Sequence, residues 1–372
     1  MSAPQRVWSV HEVELPSYKY GFTLAISLMK ARAENRVPNT IVFESYKKSV
    51  VLTYLYTDPD ADVNLEFCRQ NDIEIARCDA TVGPTWWYDA GMLGLGGVID
   101  ANTVEDFPED VSSMYEFLIE PVAKQIRERF GVNAYHAPIN DLEIDGKKVS
   151  GLGIIPVGNI VGWDFGFQLK PLDFELIENA CPPPPEKFMD KEAKSARERS
   201  AGFEDILKKQ VSKEEIKEIY LKAMKEAFGV ELVEKPLPAV VWEYYTFNAM
   251  HKYFKDDWIF ERSPKKLFAD VPRDAKRGYY ATKIKHGPLI RPTIYIKDNR
   301  IEAIAISGSV KCNPTDLVLR MEQALKGVEA TEEAVRKAIG RVVEETNADI
   351  GYGSPDDYIN AVVKAIENAK TS

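Results

Sequence analysis

Four polar side chains of one short hairpin have the types and the spacing that could do chemistry. An Asp-Gly dipeptide at 145–146 lies between two short alternating runs, which predicts a two-residue type I′ turn. Such a turn would pair Glu143 with Lys148, and Asp141 with Ser150, on one polar face. A lysine held on a strand among carboxylates could bind a phosphate or another anion, with a metal ion beside the acids. The alternative is an ordinary surface hairpin, whose Glu143–Lys148 pair contributes about 0.2–1 kcal/mol.

The elements on the N-terminal side of the hairpin alternate between helix and strand. Apolar spacing predicts helices over 22–33 and 114–130, and β-branched runs predict strands over 40–43 and 49–56. The Gly-rich apolar run over 91–99 is typical of a strand with close packing. It is not a dinucleotide-binding loop, because no helix follows it directly.

A run of four prolines after Cys181 is the clearest break in the chain, and the sequence beyond it is charged and helical. Ser212 begins a capped amphipathic helix that ends at Gly229. Further on, strands over 278–285 and 293–306 precede three capped helices. This pattern predicts a second, α/β domain of about 115 residues.

The composition fits a two-domain globular protein of 372 residues. Its 48 Lys+Arg and 58 Asp+Glu give a net charge of 48 − 58 = −10, which argues weakly against a general nucleic-acid binder. The four cysteines and four histidines are too scattered for a zinc site or a disulfide framework. The longest uncharged run, 149–163, is too short and too broken by glycines to cross a bilayer. With no signal-peptide pattern either, we expect a cytoplasmic protein.

The hairpin resembles a signature of the lipoate–protein ligases, in the biotin/lipoate A/B protein ligase superfamily. Asn140-Asp141 followed by Gly-Lys-Lys148-Val-Ser-Gly151 is similar to that family's N-D … G-[KR]-K-[VI]-[SA]-G. Residues 71–77 resemble the strand before its Arg-Arg-x-x-Gly-Gly-Gly loop, and 258–264 resemble the start of its accessory domain. The resemblance implies an α+β fold, with a mixed, largely antiparallel sheet flanked by helices. It divides the chain into a catalytic domain, 1–255, and a smaller C-terminal α/β accessory domain, 256–372.

The loop that would face the substrate departs from the family pattern. Cys78 and Asp79 stand where the family has paired arginines, with Arg77 one place earlier. Val82 and Pro84 replace two of the three glycines, which restricts close approach of the backbone to a ligand. The segment 164–166 contains no histidine where the family has His-His-Gly. These departures predict changed or lost substrate recognition.

The resemblance implies an ATP-dependent ligase that activates lipoate or a similar carboxylic acid and transfers it to a carrier lysine. Lys148 would stabilise charge on the α-phosphate and on the acyl carbonyl. Asp141 would hold Mg²⁺, and Asn140 would hydrogen-bond the nucleotide. Further residues implied to bind the nucleotide or the acid are Ser150, Gly151, Arg77, Thr81, Gly83, Asp89 and Gly91. The partners would be a lipoyl or other acyl-carrier domain and a small carboxylic acid, with no membrane and no nucleic acid.

Two other functions stay open from the sequence. Cys181 lies about as far beyond Lys148 as the catalytic cysteine does in the related octanoyltransferases, which use a thioester and no ATP. Alternatively, the altered loop is typical of a non-catalytic member that binds a carrier or ligand.

The segment Arg262 to Arg291 carries nine basic and two acidic residues, 9 − 2 = +7. It could be a docking surface for an acidic carrier, a nucleic-acid contact or a solvated loop.

Overall fold

A large mixed sheet organises the first two thirds of the protein. The computed structural model describes residues 6–80, 83, 85–183 and 195–371. The strands of this part are β1 (Val7–Leu15), β2 (Thr40–Tyr46), β3 (Val50–Thr53), β4 (Glu74–Arg77), β5 (Thr85–Tyr88), β6 (Met92–Asp100), β7 (Ala134–Ala137), β8 (Asp141–Ile144), β9 (Lys147–Val157), β10 (Ile160–Gln168) and β11 (Glu231–Glu234). Eight of them form one sheet in the order β11-β1-β2-β6-β10-β9-β8-β7. Strand β1 runs parallel to β2 and β11, and the other five pairings are antiparallel.

Helices cover both faces of this sheet. They are α1 (Tyr18–Ala33), α2 (Pro59–Asp62), α3 (Leu65–Gln70), α4 (Val111–Phe130), α5 (Phe174–Ala180), α6 (Ala196–Arg199), α7 (Phe203–Leu207) and α8 (Lys213–Phe228). Helices α4 and α8 pack on one face, while α1 and the small sheet β4-β3-β5 pack on the other. The α+β fold with a largely antiparallel sheet is therefore confirmed. The end signals of α8 are confirmed as well, because Ser212 accepts from the Glu215 N–H and Gly229 is left-handed.

The alternation of β10 between the two faces decides where a cavity can form. Phe165 and Phe167 are fully buried against α8 and its neighbours on one face. Asp164 and Gly166 point to the opposite face, toward α1 and β5, because side chains alternate along a strand. The Gly-rich strand β6 is followed by one short 3₁₀ turn, Ala101–Thr103, and α4 begins only at Val111.

The C-terminal part forms a second, smaller layer of sheet and helices. Its elements are β12 (Lys276–Tyr279), β13 (Thr282–Lys283), β14 (Leu289–Lys297), β15 (Arg300–Ser309), β16 (Cys312–Asn313), β17 (Asp349–Ile350), α13 (Leu317–Leu325), α14 (Glu332–Thr346) and α15 (Pro355–Thr371). Four short helices connect it to the first part: α9 (Ala239–Tyr244), α10 (Met250–Tyr253), α11 (Asp256–Ile259) and α12 (Pro264–Leu267). The C-terminal sheet domain is confirmed, and we retain the division at residue 255 as a proposal. In the part of the chain that is described, no helix is both long and apolar enough to cross a membrane.

Buried polar contacts join the two parts. Arg291 donates two hydrogen bonds to Asp62, at 2.8 and 2.6 Å, with both side chains almost fully buried. The Tyr56 hydroxyl donates to the carbonyl of Thr315 at 2.5 Å. Because these contacts are desolvated, they fix the C-terminal part firmly against the edge of the first.

Candidate active site

A β-bulge decides which way Lys148 points. The predicted pairing of Glu143 with Lys148 is confirmed, but the register then shifts, and Asp141 faces Gly151 instead of Ser150. The extra residue on β9 is Val149, whose side chain enters the hydrophobic core. A bulge reverses the alternation of faces, so Lys148 lies on the same face as Gly151. The predicted register is therefore wrong beyond Glu143.

Lys148 is held by an acid and an aromatic ring, and a second cation, Arg199, shares the same acid. Its Nζ lies 2.7 Å from Asp141 Oδ1 and 3.7 Å from the centroid of the Trp86 ring. Arg199 pairs with the second carboxylate oxygen of Asp141 and lies 3.8 Å from Glu143 Oε1. The Lys148 and Asp141 side chains are only 11% and 7% exposed, so solvent screens the pair weakly.

Glycines of three adjacent strands make room for these side chains. Gly94, Gly166 and Gly151 stand side by side on β6, β10 and β9. A Cβ on Gly151 would lie 3.0 Å from the Lys148 Nζ, and one on Gly166 would lie 3.1 Å from Trp86 Nε1. The Gly-rich pattern therefore serves the close approach of side chains across the sheet.

A cavity of about 410 Å³ opens above this glycine floor. It lies between the large sheet, α1, β5 and the C-terminal part of the chain. From the first part its walls include Tyr18, Phe22, Met29, Gly83, Trp86, Tyr88, Asn140, Asp141, Glu143, Lys148, Gly151, Gly153, Ile155, Asp164 and Arg199. Lys283, His286, Leu289, Ser309 and Lys311 line it from the C-terminal part. The two parts of the chain thus build one site together.

Two carboxyl groups, the buried Glu44 and the partly buried Asp164, lie with three tyrosines beneath and beside this cavity. Asp164 Oδ2 accepts hydrogen bonds from the hydroxyls of Tyr18, at 2.7 Å, and Tyr88, at 2.8 Å. The two tyrosine rings stack with their centroids 3.7 Å apart. Tyr46 donates to Glu44 Oε2 at 2.8 Å. Burial raises the pKa of both carboxyl groups, and the charge of Asp164 raises the pKa of Glu44 further.

Comparison with known proteins decides the family. Residues 17–225, more than half of the chain, match the family model of the lipoyl protein ligase A/B catalytic domain. The chain belongs to this lipoyl ligase family. It is 27% identical to lipoate–protein ligase 1 of Staphylococcus aureus over 241 residues, which are 61% of this chain and 68% of that one. By family and relatives, it is an enzyme of the lipoate–protein ligase type.

Solved structures share the fold of this ligase. LipL1 of P. falciparum, in complex with lipoate, has a TM-score of 0.66 at 11% identity and covers 96% of this chain and 98% of its own. A bi-partite lipoate protein ligase from Thermoplasma acidophilum has a TM-score of 0.55 at 20% identity, covering 70% and 97%. The match to the first of these extends over both sheet-containing parts of this chain.

The structure of the ligase brings together only some of the predicted nucleotide-binding and acid-binding residues. Lys148, Asp141, Asn140, Gly151 and Gly83 line the cavity. The amide of Asn140 donates to the Leu152 carbonyl at 2.9 Å, so it also fixes the start of the hairpin. Ser150 is fully buried opposite Leu142 and is not among the lining residues.

Three other predicted residues lie away from the cavity, and a fourth is not described. Arg77 is buried, donating to the carbonyls of Trp258 and Leu55 at 3.0 and 2.7 Å, so it joins the two parts of the ligase. Asp89 accepts from the Gly91 N–H and from the Trp87 ring, which occupies both its oxygens within one turn. Gly91 belongs to that same turn. Thr81 lies outside the described residues.

Cys181 borders a smaller cavity, of about 110 Å³, that also touches Lys148 and Trp86. The thiol is buried and donates to the Ile177 carbonyl at 3.4 Å. It packs with Trp87 and other apolar side chains. Its surroundings are therefore those of a core cysteine beside a small opening.

The residues around Asp141 do not form a preformed metal site. Both oxygens of Asp141 are paired with cations, Lys148 and Arg199. Among the described residues, no group of three or more His, Cys, Asp or Glu side chains could hold a metal ion. The predicted Mg²⁺ at Asp141 therefore does not fit this donor set, since one ion pair would first have to open.

The basic segment 262–291 does not form one continuous basic surface. Arg262 is buried and makes a bidentate pair with Glu322, with both distances 2.7 Å. Arg291 is the partner of Asp62 in the buried contact between the two parts. Two of its nine charges are thus structural, and Lys283 lines the cavity instead of the outer surface.

Sequence reasoning missed Arg199, Tyr18 and Asp164 as site residues. Arg199 carried no signal that distinguishes it from the other basic residues near it. Asp164 did carry one, because it is the single charged residue of strand β10, in which only Gln168 is polar besides it. The tyrosines that donate to it come from α1 and β5, far away in the sequence, and only the fold brings them together.

Proposed function

We propose that this protein uses ATP to activate lipoate or a similar carboxylic acid as an acyl-adenylate, and then transfers the acyl group to a lysine of a lipoyl or other carrier domain. The observation that carries the proposal is Lys148, which the bulge aims into the cavity and which Asp141 holds at 2.7 Å. Related proteins support the choice of substrates. A lipoate–protein ligase A with the same fold was solved with bound ATP, and the Thermoplasma ligase was described with its E2 lipoyl domain.

In the first step, a carboxylate oxygen of the acid attacks the α-phosphorus of ATP, and pyrophosphate leaves. A free carboxylate is a poor electrophile, so this step supplies the leaving group for the next one. Lys148 is placed to stabilise negative charge developing on the phosphate and on the acyl carbonyl. Its ammonium is kept in place by Asp141 and the Trp86 ring, so little reorganisation is needed when charge develops.

In the second step, the amine of the carrier lysine attacks the acyl carbon and AMP leaves. The amine must first lose a proton, which costs about 4–5 kcal/mol at pH 7 for an ordinary lysine pKa near 10.4. Two acids near the hairpin and the β5 turn come into question, Glu143 and Asp89; Glu143 lines the cavity, whereas both oxygens of Asp89 are occupied within its own turn. We therefore propose Glu143 as the proton acceptor. Tyr135 donates to its Oε2 at 2.9 Å and so orients it.

Pyrophosphate release tests the first step. Purified protein with ATP and lipoate or octanoate should release pyrophosphate, and Lys148→Ala should lower the rate about 10²–10³-fold, as expected for one stabilising group. The matched control is Lys147→Ala. Its ammonium contacts the Glu198 carbonyl instead, so it should retain the wild-type rate. Equal rates for the two variants would refute the role of Lys148.

A second candidate is acyl transfer through Cys181, favoured by the small cavity that Cys181 shares with Lys148. It would replace ATP by an activated acyl donor, whose acyl group moves to the thiolate as its own thiol leaves. Mass spectrometry after incubation with octanoyl-CoA and no ATP separates the two. An adduct of one octanoyl group, lost in Cys181→Ser, would favour this candidate. Unchanged ATP-dependent turnover in Cys181→Ser would favour the ligase.

A further inference from the structure

The position of Asp164 is unusual for a cavity that would hold an acyl chain. Along β10, Gly166 is level with Gly151, and Asp164 is level with Gly153. Because the Lys148 Nζ lies beside Gly151, Asp164 is displaced from it by two residues, about 7 Å along the strand. The carboxyl group of Asp164 therefore lies next to the path of a chain whose own carboxyl end is at Lys148.

One oxygen of Asp164 is available to a ligand. Its Oδ2 accepts from Tyr18 and Tyr88, while Oδ1 has no hydrogen-bond partner among the described residues. Asp164 itself lines the cavity and is only partly buried, so it is accessible from that side. The two tyrosines fix the plane of the carboxylate and hence the direction in which Oδ1 accepts.

The surroundings of Asp164 are apolar on the side away from Lys148. Gly162, the next residue on that face of β10, is level with Ile155 and lies under Met29. Phe22 also lines the cavity. A purely apolar chain would remove water from Asp164 without returning a hydrogen bond, and such an unpaired acceptor is costly. A site whose buried acceptor needs a hydrogen-bond donor from the ligand discriminates strongly against ligands that lack such a donor.

We propose that the acid accepted by this cavity carries a hydrogen-bond donor on its chain, an amine or a hydroxyl, which Asp164 Oδ1 binds. This inference rests on the proposed function in taking the bound acid as the one that is activated. An ammonium group is favoured over a hydroxyl, because Tyr18 and Tyr88 donate hydrogen bonds but carry no positive charge. The negative charge of Asp164 is therefore best balanced by a cationic group on the ligand.

Calorimetry with defined acids tests the proposal without requiring turnover. The titrants are octanoate, lipoate, 8-hydroxyoctanoate, 8-aminooctanoate and the shorter 6-aminohexanoate. Wild-type protein should bind at least one amino or hydroxy acid 10-fold or more tightly than octanoate. In Asp164→Asn, the affinities for that acid and for octanoate should differ by no more than about 3-fold. The same change at an exposed hairpin residue, Asp298→Asn, should leave the preference intact.

The outcomes separate this inference from the proposed function. Equal or tighter binding of octanoate and lipoate by the wild type would overturn the role of Asp164, as would a preference that persists in Asp164→Asn. Failure of every acid to bind would overturn it too. If the amino or hydroxy acid binds selectively but no pyrophosphate is released with ATP, the adenylation proposal fails while the specificity of Asp164 stands. Thermal unfolding of Asp164→Asn confirms that the variant is folded.

Discussion

Glu44 should make the stability of the protein fall as the pH rises, and Glu44→Gln should abolish this effect. The carboxyl group is buried on the cavity side of β2, where the Tyr46 hydroxyl donates to it. Burial, reinforced by the charge of Asp164, raises its pKa from 4.5 to about 8. Between pH 4.5 and about pH 8, the folded state therefore keeps a proton on Glu44 that the unfolded state has already released.

The sign and the size follow from proton linkage. A raised pKa means that the contribution of Glu44 is fully present below about pH 4.5 and is lost as the pH rises toward 8. One proton taken up on folding gives a slope of about 1.4 kcal/mol per pH unit, so the loss from pH 5 to pH 8 is about 4 kcal/mol. Glutamine is neutral and of the same shape. The difference in unfolding free energy, Glu44→Gln minus wild type, should therefore increase by up to this amount when the pH is raised from 5 to 8.

Urea denaturation followed by tryptophan fluorescence, at pH 5, 6, 7 and 8, measures this difference. The control is Glu345→Gln, an exposed glutamate on α14, whose difference from the wild type should stay within about 0.5 kcal/mol at every pH. Parallel stability curves for the wild type and Glu44→Gln would refute the reasoning. They would mean that the Glu44 site is wetter, or closer to a cation, than the contacts indicate.

Two further predictions concern the domain contact and the cavity. Arg291→Met should lower the unfolding free energy by about 3–5 kcal/mol because it leaves Asp62 buried and unpaired, whereas the double variant with Asp62→Leu should recover most of this loss. Urea denaturation of the four proteins gives the cycle, and additive losses would contradict it. Gly153→Val should weaken acid binding at least 10-fold in calorimetry with little change in melting temperature, because a Cβ at Gly153 meets only the Asp164 carbonyl, at 3.9 Å. Unchanged affinity would show that the acid lies elsewhere.

Much of the fold could be predicted because its signals are local. The Asp-Gly turn fixed the pairing of Glu143 with Lys148, and caps at Ser212 and Gly229 fixed the ends of α8. Each of these signals depends on side chains that bond to the backbone within a few residues. The hairpin lysine could be recognised for the same reason, because its motif is contiguous.

The site itself required the tertiary structure. The bulge at Val149, which aims Lys148 into the cavity, reflects the packing of Val149 into the core rather than the turn beside it. Arg77 was expected at the ligand but lies between the two parts of the protein, because burial favoured its contacts with Trp258 and Leu55.

The sequence by itself therefore determined the class of fold, most element positions and the lysine on its hairpin. Only the tertiary structure decided what surrounds that lysine. Tyr18 and Asp164, which are 146 residues apart, meet beside the cavity, and Arg199 reaches Asp141 across 58 residues. The physical reason is that chain-local signals act through neighbouring backbone groups, whereas a binding cavity is made by side chains whose proximity depends on how whole strands and helices pack.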